Sequence, residues 1–298
     1  MKVFYSDKYS FPLPDNHRFP LEKYKLVREK LVNENILSED ELLEAKPADR
    51  EQILLAHKPE YFDSFENGTI DKNEIRMLGF PWSYELHLRS LASVGGAIES
   101  AKEALKNGIG GNLAGGTHHA FADHSEGYCV YNDFAIVSNY LRNKNLAGRI
   151  AIVDLDVHQG NGTSSILSDN KNVFILDMFG KNNYPFRKIP STIDVGLEDG
   201  AGDEEYLYLL KNNLQQVLNF DPDIVLYQAG VDTLKEDSLG RISLTKEGLM
   251  ERDRIVITEC RNRNISISLG LGGGYSKPIS HTIDAYCGTY KVAKEIFV

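Results

Sequence analysis

The sequence holds only three cysteines in 298 residues, Cys129, Cys260 and Cys287. They are widely spaced, form no CxxC pair and cannot fill an even disulfide set. Neither a disulfide scaffold nor a cysteine-rich zinc module is therefore expected. Positive charge is also short: 33 Lys and Arg face 43 Asp and Glu, a formal net charge of −10. That balance argues against avid binding to a phosphate backbone, so no nucleic-acid partner is expected. No apolar run reaches membrane-spanning length, and the opening MKVFYSDKYS lacks the apolar core of a signal peptide. A reducing, cytoplasmic setting without a membrane partner is the simplest expectation. No Pro/Gly/Ser-rich linker, long charge run or internal repeat divides the chain. Residues 1–298 are accordingly read as one domain, long enough to bury a large core.

What the chain does have is a series of short apolar runs without polar alternation, the pattern of strands buried on both faces. These are Arg149–Asp154, Val173–Asp177, Ile224–Gln228 and Ile265–Leu271, with weaker candidates at Met1–Tyr5 and Gly110–Leu113. Helical spacing of apolar residues marks Leu21–Val32, Glu85–Lys106, Asn132–Arg142, Asp203–Leu218 and Leu244–Arg261. Strands alternating with helices of this length predict an α/β fold: a mostly parallel, doubly wound sheet flanked by helices.

The chemistry-bearing residues cluster in one kind of place. Gly115–Ala120, Asp154–Gly162, Asp177, Gly230–Asp232 and Gly272–Tyr275 each lie at the carboxyl end of a predicted strand. In open parallel sheets ligands bind at that edge. Along an extended backbone every second side chain shares a face, so Asp154, Asp156 and His158 are expected to look into one site. Carboxylates with an imidazole suit Zn²⁺ or a similar ion, and Asp232 together with Asp156 and His158 would make three protein ligands. The plainer alternative is a strand end with an Asx turn, with Asp232 as a helix N-cap. His118 and His119, adjacent in GGTHHA, offer an acid and a base. GGGY lacks both dinucleotide-binding spacing and a Walker lysine. Its glycines, Gly273 among them, instead allow close backbone approach to a ligand, with Tyr275 placing a phenol there.

The motifs GGTHHA, GYCVYND, VDLDVHQGNGT, AGVDTL and LGGGYS, in this order over most of the chain, resemble the histone deacetylase superfamily, whose fold is shared with arginases. The segments NHRFP (16–20) and GFPWS (79–83) also resemble bacterial members, and VHQGNG and ILDMFGKNNYP look most like the class IV branch. The resemblance implies a zinc-dependent amidohydrolase that removes acetyl or longer acyl groups from lysine. It implies that Asp156, His158 and Asp232 hold zinc, and that His118 and His119 are the paired catalytic histidines. Asp154 would bond the first histidine and help hold potassium, and Tyr275 would polarise the scissile carbonyl. Gly127, Tyr128 and Tyr184 would wall an acyl-lysine tunnel. Two positions depart from the common pattern. Asn161 stands where many members carry aspartate beside the second histidine, and Asp177 stands where other classes have serine near the potassium site. A neutral partner should leave His119 uncharged to lower pH. The implied substrate is acylated lysine in a protein or peptide, or an acylated polyamine. An arginase-like two-metal site is not expected, because positions 230 and 234 are Gly and Leu. A non-catalytic acyl-lysine binding module is a further alternative, which the tyrosine at 275 disfavours.

Overall fold

A computed structural model describes residues 1–15 and 17–297. Asn16 of the NHRFP segment lies outside the described residues. Among the described residues eight strands form one sheet: β1 (Lys2–Tyr5), β2 (Leu42–Glu44), β3 (Ile109–Asn112), β4 (Ile150–Asp154), β5 (Val173–Gly180), β6 (Ile193–Leu197), β7 (Ile224–Gln228) and β8 (Ser266–Gly270). Their order is β2-β1-β3-β8-β7-β4-β5-β6, and every neighbouring pair is parallel.

The helices are α1 (Lys23–Asn33), α2 (Arg50–Ile53), α3 (Pro59–Glu66), α4 (Lys72–Leu78), α5 (Tyr84–Asn107), α6 (Asp133–Asn143), α7 (Asn161–Leu167), α8 (Asp203–Asn219), α9 (Lys246–Asn262) and α10 (Ser280–Phe297). They cover both faces of the sheet, and the central strands show why. Ala151 and Val153 of β4 pack into one apolar cluster with residues of α1, α8, α9 and α10. Ile150 and Ile152 pack into another with residues of α3, α5 and α6. Both faces of β4 need apolar side chains, so the run IAIVD shows no alternation.

Three features fall outside the sequence expectations. The edge strands β2 and β6 and the long helix α10 were not predicted, nor were the short helices α2, α3, α4 and α7. The loops that position the site follow β3, β8, β7, β4 and β5, five adjacent strands in the sheet order. The expected convergence on one carboxyl edge therefore has a direct geometric cause.

Candidate active site

The site starts where β4 ends. After Asp154 the chain bends, and two successive side-chain-to-backbone bonds fix the bend. The Asp156 N–H donates to Asp154 Oδ1 at 3.2 Å, and the His158 N–H donates to Asp156 Oδ1 at 3.0 Å. Strand alternation is thus not what aligns Asp156 with His158. The Asx turns set out as the alternative are present, and they carry the two side chains to the site.

The loop after β7 brings Asp232 to the same point. Its Oδ1 accepts from the Val157 N–H at 2.9 Å, and its Oδ2 lies 3.1 Å from His158 Nδ1. His158 Nδ1 is also 3.0 Å from Asp156 Oδ1, and Asp156 Oδ2 accepts from the Gly273 N–H at 2.6 Å. One donor atom from each of Asp156, His158 and Asp232 lies within 4.8 Å of the others. This nitrogen and oxygen set fits a zinc-like ion and leaves a coordination position open. The charges agree with that fit. Burial opposes a proton on His158, yet its bonds to Asp156 and Asp232 hold its pKa up at about 10, so the carboxylates draw positive charge to this point.

Two neighbours hold the cluster's shape. A Cβ at Gly273 would lie 1.7 Å from Asp232 Oδ2, so no larger residue fits while Asp232 keeps its place. The buried Arg252, ion-paired with Asp253 at 2.8 Å, donates from Nη1 to Leu155 O at 3.3 Å and to Gly230 O at 2.5 Å. One guanidinium thereby ties the loop carrying Asp156 to the loop carrying Asp232.

The paired histidines face the cluster from the loop after β3, their ring centroids 4.2 Å apart. His118 Nδ1 lies 2.7 Å from Asp154 Oδ2, and His119 Nδ1 lies 2.7 Å from Asn161 Oδ1. Burial disfavours charge on both rings. At His118 the carboxylates of Asp154 and Asp156 outweigh it and raise the pKa to about 9. His119 lacks such a partner, and burial with the nearby His118 and His158 holds its pKa well below the usual imidazole value. Asp177 pairs in register with Asp154 across β5 and β4. Its Oδ2 accepts from the Gly160 N–H at 2.8 Å, while its buried Oδ1 has no partner among the described residues. Burial and the charge of Asp154 push its carboxyl well up.

Tyr275 stands on the loop after β8, where its N–H donates to Asp237 Oδ2 at 2.6 Å. Beneath its ring lies the fully buried Lys23, whose Nζ is 4.8 Å from the ring centroid. Lys23 donates to Gly272 O and Gly274 O, each at 3.3 Å, so it pins the loop on both sides of Gly273. Burial lowers the Lys23 pKa to about 8.

Opposite, Gly127 has φ +55°, and a Cβ there would sit 2.7 Å from His119 Cδ2. Tyr128 adopts φ +67°, an uncommon backbone for an aromatic residue, fixed by its N–H donating to Leu78 O at 2.8 Å. Tyr184 packs edge-on against His119 with centroids 5.0 Å apart.

These groups surround a cavity of about 660 Å³. His118, His119, Asp156, His158, Gly127, Tyr128, Tyr184, Gly273 and Tyr275 line it. Asp154, Asn161, Asp177 and Asp232 are buried and are not among its lining residues. The lining also includes the buried Tyr24 and Cys129, and exposed Arg18, Arg76, Met77 and Phe186 at the mouth. Sequence reasoning missed Lys23, Arg252 and Asp237. Each joins the site through contacts distant in sequence, and no local spacing marks them.

A sequence model of the histone deacetylase domain matches residues 17–289 of this geometry's bearer, nearly the whole chain. The chain belongs to the histone deacetylase family. This is a hydrolase family, generally metal-dependent, and membership supports deacetylase activity here. The chain is 37% identical over 296 residues to an uncharacterised protein of Picosynechococcus, the match covering 99% of each chain. It is 30% identical to histone deacetylase 2 of Arabidopsis thaliana, over 95% of this chain and 76% of that one. A crystal structure of a histone deacetylase homologue from Aquifex aeolicus superposes with a TM-score of 0.84 at 26% identity, covering 98% of this chain and 83% of that one.

Proposed function

We propose that this histone deacetylase family member is a zinc-dependent amidohydrolase acting, as one domain, on acyl-lysine side chains. The observation that carries the reading is the Asp156, His158 and Asp232 cluster, with its open side on a cavity lined by two histidines and a phenol. Asp156, His158 and Asp232 would hold zinc, which when bound polarises an amide carbonyl and lowers the pKa of water toward about 7.

The chain's own groups then take defined parts. An amide oxygen only accepts, so Asn161 Oδ1 fixes the proton of His119 on Nδ1 and leaves Nε2 free as a base. The depressed His119 pKa keeps that base neutral at working pH. His118, held protonated by Asp154, keeps positive charge beside the reacting carbonyl. The paired histidines return the proton to the leaving amine nitrogen. Burial, with Tyr24, Asp232 and Asp156 nearby, holds the Tyr275 phenol well above its usual pKa. It stays protonated and donates to the oxygen on which charge develops. Tyr128, Tyr184 and Gly127 would guide an aliphatic chain past His119, and Gly273 gives the backbone room beside the metal ligands. The unpartnered Asp177 Oδ1 beside Asp154 supports a buried potassium ion there.

The extension of the cavity to Tyr24 and Cys129 favours acyl groups longer than acetyl, since each buried CH₂ adds about 0.8 kcal/mol. The acetylpolyamine reading requires an acidic group at the entrance to hold a second ammonium. Apart from Asp156, no Asp or Glu lines the cavity among the described residues. The test is a kinetic series on one peptide carrying acetyl, butyryl, octanoyl or myristoyl lysine, run beside acetylated spermidine and putrescine. KM should fall with chain length on the peptides. Strong preference for free polyamines, or activity on acetyl-lysine alone, would overturn this substrate assignment.

A further inference from the structure

The protein is strongly acidic overall, with a formal net charge of −10, yet the mouth of its cavity is cationic. Arg18, Arg76 and Arg241 are all exposed and all line the cavity, whereas Asp156 is the only carboxylate among its described lining residues. Arg241 is committed to Asp199 at 3.1 Å. Neither Arg18 nor Arg76 makes an ion pair among the described residues, although the chain has a surplus of acids to offer. The two come from separate segments, Arg18 from the stretch before α1 and Arg76 from the last turn of α4. Beside these cations the mouth presents two apolar side chains to solvent, Met77 at 49% and Phe186 at 91% exposure. A cationic mouth with apolar lips repels a polyamine, whose every free amine is positive, and complements a chain bearing carboxylates.

We infer that Arg18 and Arg76 form a substrate-selecting rim that takes acyl-lysine flanked by acidic residues in a polypeptide. The inference rests on the acyl-lysine hydrolase reading above. Exposed ion pairs contribute little individually, about 0.2–1 kcal/mol each, so two arginines meeting two acids predict a preference of roughly two- to thirtyfold. The same exposure makes the preference sensitive to salt, because screening at 0.1 M already acts over about 10 Å.

The test uses three peptides with one central acyl-lysine and flanks of Asp and Glu, of Ser and Gly, or of Lys and Arg, together with an uncharged Nα-acetyl-Nε-acyl-lysine methylamide. At low salt kcat/KM should rank acidic above neutral above basic, mainly through KM, and the spread should shrink at 0.5 M salt. In the Arg18→Glu/Arg76→Glu double variant the acidic-to-basic ratio should collapse or invert. Reading a ratio within one variant keeps a general loss of activity from counting. If the uncharged methylamide is hydrolysed but all flanks perform alike, or basic flanks win, the rim inference is overturned and the hydrolase reading stands. If the methylamide and every peptide are inert in zinc-loaded protein, the hydrolase reading itself falls.

Discussion

Asn161→Asp changes one side-chain amide for a carboxylate of nearly the same shape, 2.7 Å from His119 Nδ1 and almost fully buried. His119 at present has burial and two neighbouring imidazoles working against its proton. The new charge would work for it. With about 4 Å between charge centres and an effective dielectric near 20, the attraction is about 4 kcal/mol, equivalent to about three pH units. Burying the new carboxylate takes back part of that, so a rise of roughly one to three pH units in the His119 pKa is expected. His119 must be neutral to act as a base. The acidic limb of kcat/KM against pH should therefore move upward, with activity falling more on the acidic side of the profile than at pH 8.5. The assay is a pH profile on a neutral acyl-lysine substrate, with metal content and thermal midpoint checked for both proteins. A limb that stays in place while fold and metal are intact would refute His119 as the base, and with it the tuning role of Asn161.

Further outcomes follow from the same geometry. Tyr275→Phe removes a hydroxyl and keeps the ring above Lys23, so kcat should drop about 10²–10³-fold while hydroxamate binding and the thermal midpoint are largely kept; an unchanged kcat would remove the phenol from the mechanism. Gly273→Ala places a Cβ 1.7 Å from Asp232 Oδ2, so zinc affinity should fall sharply in a protein that still folds, and chelator competition showing wild-type affinity would contradict the packing argument. His57, buried and neutral, has its pKa lowered to about 4, against about 6.5 in the unfolded chain. Unfolding then takes up a proton between those values, so this stabilisation is complete above pH 6.5 and is lost as pH falls toward 4, by about 3 kcal/mol in all. His57→Gln, with an amide oxygen still able to accept from the Asn132 N–H, should flatten the decline in urea midpoint between pH 7 and 5; an identical decline would clear His57 of that role.

The central sheet could be read from the sequence because β4, β5, β7 and β8 are buried on both faces and carry unbroken apolar runs. The edges could not. β2 has three residues, and β6 reads IDVGL, a half-exposed alternation that a loop can also show. α10 is different: Ile283, Tyr286, Cys287 and Tyr290 recur at helical spacing and are buried, so the signal was present after the GGGY loop. At the site, the polar and glycine residues around the metal-ligand cluster announced themselves by type and order, whereas Arg18, Arg76, Met77 and Phe186 at the mouth did not. The supports behind the site did not either. Arg252 sits in the polar-looking stretch KEGLMERDRIV, and Lys23 looks like an ordinary surface helix residue; only the fold reveals that Arg252 is buried against the backbone of the ligand-bearing loops and Lys23 against the loop that carries Tyr275.

The account rests on one catalytic metal held by Asp156, His158 and Asp232. The most direct measurement is a zinc titration of chelator-stripped protein, following bound metal and acyl-lysine hydrolysis together. Activity should be absent without metal, rise linearly with added zinc and saturate at about one ion per chain. Full activity in the stripped protein, or saturation only at two tightly bound ions, would contradict it.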